Sequence, residues 1–205
     1  MRRLPVFWEI DVSESMAGSP IENVRKGMTD ALMTDPYAME TAYISVITFA
    51  GKAKVITPLT YLLSFTPPDL SIGAGTSLLA ALNMLMMEIN KNIRKNTPEC
   101  KGDWRPLVFL LTDGAPNDRY QEAVKKWLQK YDGKVSIVAI LMGTNSDASA
   151  LTSLTENVLV FKDTSADACK VFFKWVSTFA VKDLNAVFAQ GPNHANVRQL
   201  LTALP

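Results

Sequence analysis

Oxygen-bearing side chains stand at three places where apolar runs give way to loops. The stretch FWEIDVSESMAG closes such a run with Asp11, Ser13 and Ser15 at alternate positions. In extended chain a period of two puts all three on one side, converging beyond the strand's end. The run VFLL ends in Thr112-Asp113-Gly114, and the glycine-bearing stretch Ile72-Gly73-Ala74-Gly75-Thr76-Ser77 delivers a hydroxyl to the start of a helical pattern. At these ends Asp11 and Asp113 offer two carboxylates and the serines and threonines several hydroxyls, with no Lys, Arg, Cys or His in the three stretches.

Oxygen-only donors suit a hard divalent cation, Mg2+ first, with Mn2+ or Ca2+ as alternatives. The hydroxyls of Ser13, Ser15 and Thr76 are neutral and would cancel little of the metal charge. Asp11 and Asp113 would then accept hydrogen bonds from metal-bound water and orient the serines. A cation held this way stays electrophilic at an open position and could capture a carboxylate offered by another protein. Glu14, Met16, Asn117 and Asp118 are the expected rim. Each motif alone has a plainer reading, a turn and helix cap before Pro20 and an ordinary TDG turn; their joint placement carries the specificity.

The elements that must position these groups are legible as runs and periods. Runs rich in β-branched and aromatic residues occupy 4–10, 43–49, 107–111, 135–141 and 158–161, and a further run at 53–56 pairs as a hairpin with the second through Ala50-Gly51-Lys52. Several are nearly continuous, as in strands buried on both faces. Helical spacing follows Pro20 (Ile21, Val24, Met28, Leu32), starts again at Thr76 or Ser77 (Leu78, Leu82, Leu85, Ile89, Ile93), and recurs at Val124, Trp127, Leu128, Tyr131 and at Cys169, Phe172, Phe173, Val176, Ala180. Alternating strands and helices predict an α/β, doubly wound, mostly parallel six-stranded sheet with one antiparallel edge strand and helices on both faces. In such folds ligands bind beyond the carboxyl ends of the strands, where strand order reverses.

Composition narrows the function classes. The 205 residues suit one domain, 48% hydrophobic and 20% charged, with a net charge of +1 that supplies no footprint for nucleic acid or an anionic membrane. No run approaches the roughly 18 uncharged apolar residues that span a bilayer, and the apolar start is cut short by Glu9 and Asp11, so no signal peptide is read and a cytoplasmic location is expected. Cys100 and Cys169 match no metal or redox spacing and read as free thiols, and the single His194 leaves little material for a histidine-based site. Glu9 is anomalous inside a central strand: it should either pair with a basic side chain or lie on a less buried side.

The motifs DVSES, GAGTS and TDG resemble the metal-ion-dependent adhesion site of von Willebrand factor A domains, a likeness that runs from about Arg2 to about Val181. The family pattern falls on Asp11, Ser13, Ser15, Thr76 and Asp113. The chain is most similar to the bacterial TerY-like group, named for tellurium resistance, in MRRLPV, DPYAMETAYISVITF, KGDWRPLVFLLTDG and FFKWVS. That resemblance implies a vWA, Rossmann-like domain over residues 1–181 and a C-terminal extension over 182–205. It also implies a cytoplasmic, non-enzymatic adaptor in a stress or tellurite-resistance system, with a protein kinase and a PP2C-type phosphatase as candidate partners. The short amphipathic run of the extension, Val197 to Leu204, is expected to pack back on the domain, with docking of a partner as the alternative.

Three other functions compete with a metal-dependent adaptor. Asp11 could be a phosphoryl acceptor, but such sites need a second acid two residues on and a nearby lysine, and Ser13 stands there instead. A scaffold with a vestigial metal site would bind through Pro67, Pro68, Leu70 and Ile72 in the long loop. An extracellular adhesin would need an export signal.

Overall fold

The computed structural model describes residues 2–32, 36–143 and 147–162, with Ser165 and Asp167. Six strands form one sheet: β1 (Leu4–Asp11), β2 (Ala42–Phe49), β3 (Ala53–Tyr61), β4 (Leu107–Thr112), β5 (Ser136–Met142) and β6 (Val158–Phe161). Their order is β3-β2-β1-β4-β5-β6, with every pair parallel except the β2/β3 hairpin. Strand order therefore reverses between β1 and β4, and the loops that follow those two strands open side by side.

Helices α1 (Ser19–Leu32), α2 (Pro36–Thr41), α3 (Leu78–Asn92), α4 (Gln121–Tyr131) and α5 (Ser149–Leu154) complete the described fold. The alternation of β1 separates two cores. Leu4, Val6, Trp8 and Ile10 pack with Ile44, Val46, Phe109 and the α1 residues Ile21, Val24 and Met28, and Trp8 stacks on Phe109 with ring centroids 4.5 Å apart. Phe7 joins Ile47, Val108 and Leu110 on the other face, under Leu82 and Leu85 of α3, Trp127 of α4 and Leu151 of α5. Helices thus cover both faces, which is why β1 and β4 could be written as almost unbroken apolar runs.

Four details depart from the sequence reading. β3 continues past residue 56 to Tyr61 and carries Pro58, which an edge strand tolerates because one row of its N–H groups needs no partner strand. Ser19 lies inside α1 rather than capping it, after Gly18 has turned the chain at φ 89°. Leu128 is 41% exposed, because Ala123, Val124, Trp127 and Tyr131 fill the buried side of α4. Glu9 has neither of its expected solutions: it is fully buried between Ile47 and Leu110, and neither carboxyl oxygen has a hydrogen-bond partner. Burial pushes its pKa up to about 8, so its protonated, neutral form is favoured at neutral pH.

The helical pattern from Cys169 to Ala180, the boundary at 181 and the extension over 182–205 lie outside the described residues. Among the described residues no helix is long and apolar enough to cross a membrane.

Candidate metal centre

β1 delivers Asp11 as its last residue, after which the chain bends and makes one turn of 3-10 helix over Glu14–Met16. Asp11 is completely buried and both its oxygens are engaged: Oδ1 accepts from the Ser13 amide at 2.8 Å, and Oδ2 accepts from the Thr112 hydroxyl at 2.6 Å. Burial pushes its pKa upward, the bonds from Thr112 and Ser13 oppose that, and the charge of Asp113 adds to the upward push. Asp11, expected to orient the serines from behind the cation, is a brace that ties the end of β1 to the end of β4. Thr112 is no part of the expected site, and its sequence signal is a hydroxyl closing an otherwise apolar strand.

In front of this brace lies a chain of oxygens. The Ser15 hydroxyl donates to Asp113 Oδ1 at 2.8 Å, which commits its only proton, so it accepts in its 3.1 Å hydrogen bond with the hydroxyl of Ser13. Ser13 is buried, Asp113 is half-buried and Ser15 is exposed, so the chain runs outward from the core to the surface.

The third loop is brought to these two by backbone bonds. Gly73 N donates to Val12 O (2.8 Å), Gly51 N to Ala74 O (2.7 Å) and Ser77 N to Ala50 O (2.8 Å). The approach is close: a Cβ on Gly51 would lie 2.8 Å from Ala74 O, and one on Gly73 would lie 2.9 Å from Ala50 Cβ. Thr76 is half-buried at the entrance to α3, and its carbonyl accepts from Asn117 N at 3.0 Å. The structure therefore links Ser13, Ser15 and Asp113 through side chains, ties Asp11 to the Ser13 amide, and holds the Thr76 loop against them through the main chain.

The expected rim divides. Glu14 and Asn117 are exposed. Met16 is not a rim residue: it is fully buried with Val12, Ile21 and Val24, because the 3-10 turn swings its side chain back into the core. Asp118 is engaged at the start of α3, where its Oδ2 accepts from Ser77 Oγ at 2.5 Å and from Leu79 N at 2.9 Å.

The oxygens present fit a small hard cation. Among the described residues no group of three or more His, Cys, Asp or Glu side chains could hold a metal, so any site must lean on hydroxyls, as this one does. Ligands 2.0–2.1 Å from an octahedral Mg2+ stand roughly 2.9 Å from their neighbours, and the Ser13–Ser15 and Ser15–Asp113 separations are 3.1 and 2.8 Å.

The family model for the von Willebrand factor type A domain matches residues 9–175. No curated protein matches the chain in sequence. Among solved structures, a von Willebrand factor type A protein from Catenulispora acidiphila superposes with a TM-score of 0.67 at 15% identity, over 88% of this chain and 43% of that one. Proximal thread matrix protein 1 from the mussel byssus gives 0.64 at 16% identity, over 88% and 48%. The same mussel protein with a zinc-occupied MIDAS motif gives 0.59 at 20% identity, over 86% and 46%. The chain thus spans less than half the length of these proteins, and the likeness is one of fold.

Proposed function

From the premise that this chain belongs to the von Willebrand factor type A domain family, we propose that it is a non-enzymatic, metal-dependent protein-binding module. Ser13, Ser15, Thr76 and Asp113 would hold the cation, with Asp11 and Thr112 bracing the site from behind. The observation that carries this reading is the Ser13–Ser15–Asp113 oxygen chain, spaced for a hard cation and open at Ser15. When bound, the cation supplies an electrophilic position for a carboxylate of the partner. Mg2+ is the preferred ion on the chemistry of the donors, and the zinc-occupied motif of the mussel protein supports a divalent ion in general. Glu14 and Asn117, exposed on two of the three loops, are placed to select the partner.

Burial weighs against the phosphotransfer alternative. Asp11 is inaccessible, with both oxygens already accepting hydrogen bonds, and no lysine stands in the three loops. The finer setting rests on the TerY-like stretches: a bacterial stress or tellurite-resistance system, a cytoplasmic location, and a protein kinase and PP2C-type phosphatase as partners.

A second reading, a scaffold that binds through the long loop without metal, is favoured by the 42% exposure of Ile72, although Leu70 of the same loop packs against the core. Thermal unfolding separates the two. A cation at a hundred times its Kd stabilises the native state by about 2.7 kcal/mol, so Mg2+, Mn2+ or Ca2+ should raise the melting temperature above that in chelator. The Ser13→Ala, Ser15→Ala double variant should lose that rise. Equal behaviour of the two proteins with every ion would favour the scaffold.

A further inference from the structure

The bonds made by Asp118 do more than cap α3. Ser77 is the N-cap, its Oγ accepting from Ala80 N at 3.0 Å, which satisfies one of the free amides of the first turn, and Asp118 satisfies a second from a distant loop. Asp118 adds two long-range bonds through a single oxygen, Oδ2, from Ser77 Oγ and Leu79 N, across 41 and 39 residues of sequence. Its other oxygen, Oδ1, is buried without a hydrogen-bond partner, an arrangement that costs stability. Next to it Asn117 N donates to Thr76 O.

These contacts join two loops that the sheet leaves separate. The β4 loop carries Asp113 at one end and Asn117-Asp118 at the other. The loop entering α3 carries Thr76 immediately before Ser77. Bonds from residues 117 and 118 to residues 76, 77 and 79 therefore fix the spacing between Thr76 and Asp113, while the Ser15–Asp113 bond fixes the opposite side.

We propose that Asp118 is a positioning residue of the metal centre, a latch that sets the Thr76 loop against the Asp113 loop and so makes the cation site complete. The inference rests on the metal-binding reading above. A carboxylate oxygen accepting two bonds is what the latch requires; negative charge is not. Asp118→Asn keeps an acceptor oxygen at the same distance from the backbone, whereas Asp118→Ala removes it.

The test is titration of the metal-free full chain with Mn2+, followed by electron paramagnetic resonance, in the wild type, Asp118→Ala, Asp118→Asn and the core variant Leu85→Ala. Loss of a residue that orients ligands typically weakens metal affinity by about 10- to 100-fold, and Asp118→Ala should fall in that range while Asp118→Asn stays near the wild type. Leu85, fully buried on α3, should lower the melting temperature when truncated and leave Mn2+ affinity unchanged, which separates positioning from general destabilisation. If the wild type binds Mn2+ and Asp118→Ala binds it equally well, or if Asp118→Asn is as impaired as Asp118→Ala, the latch is wrong and the metal reading stands. A wild type that does not bind Mn2+ overturns both.

Discussion

Glu9 and Asp11 lie two residues apart on one face of β1; burial raises the pKa of both, but only Asp11 is given hydrogen-bond donors. Asp11 is buried among donors that favour its ionised form, whereas Glu9 is buried among Phe7, Ile47 and Leu110 with no hydrogen-bond partner. The consequence for stability has a definite sign. Glu9 titrates near 4.5 in unfolded chain and near 8 in the fold, so between those values the native state binds more protons than the unfolded state. The contribution of Glu9 to stability is full below pH 4.5, falls as pH rises through the window, and levels above about 8. The fall is up to about 1.4 kcal/mol per pH unit, and Asp11, also shifted upward, acts in the same direction. Urea unfolding at pH 5 and pH 8 checks this: the wild type should be clearly less stable at pH 8, and Glu9→Gln should lose most of that difference. Equal pH dependence in the two proteins would mean that Glu9 is not the group responsible.

Among the elements, the Thr76 loop depends on close backbone approach more than on its side chains. Gly51→Ala would place a Cβ 2.8 Å from Ala74 O, a backbone atom that moves only with the whole loop. Such overpacking costs about 1–3 kcal/mol, and the displaced loop should bind cation more weakly. Gly114→Ala is the matched control, since a Cβ there meets nothing within 4 Å; its melting temperature should stay near that of the wild type. If both glycine variants melt alike, the loop is not held by this contact. The elements also show where sequence reading succeeds. Buried parallel strands announce themselves, because β1, β4 and β5 need apolar residues on both faces, and the oxygen motifs at their ends could be read directly. Pro58 hid the second half of β3, since only the sheet order reveals an edge strand. Met16 looked like rim because spacing alone does not disclose that the chain coils after Ser13. The roles of Thr112 and Asp118 were illegible for a related reason: each is defined by a partner at least 39 residues away.

At the scale of the whole molecule, the two ends of β1 do different work. At its start Arg3 pairs with the buried Asp103 at 2.7 Å and donates to Asn92 O at 2.9 Å, and Arg2 lies over Trp104, closing the sheet where the strands begin. An eight-residue strand spans roughly 26 Å, so this closure is remote from the oxygen cluster at the other end. The contacts that close the sheet are thus kept apart from the loops proposed to bind. The proposed function requires a divalent cation among Ser13, Ser15, Thr76 and Asp113. Its most direct test is anomalous diffraction from crystals of the full chain soaked in Mn2+. One strong peak within coordination distance of the Ser13 and Ser15 hydroxyls is the predicted result; a peak elsewhere, or none there at saturating Mn2+, would contradict it.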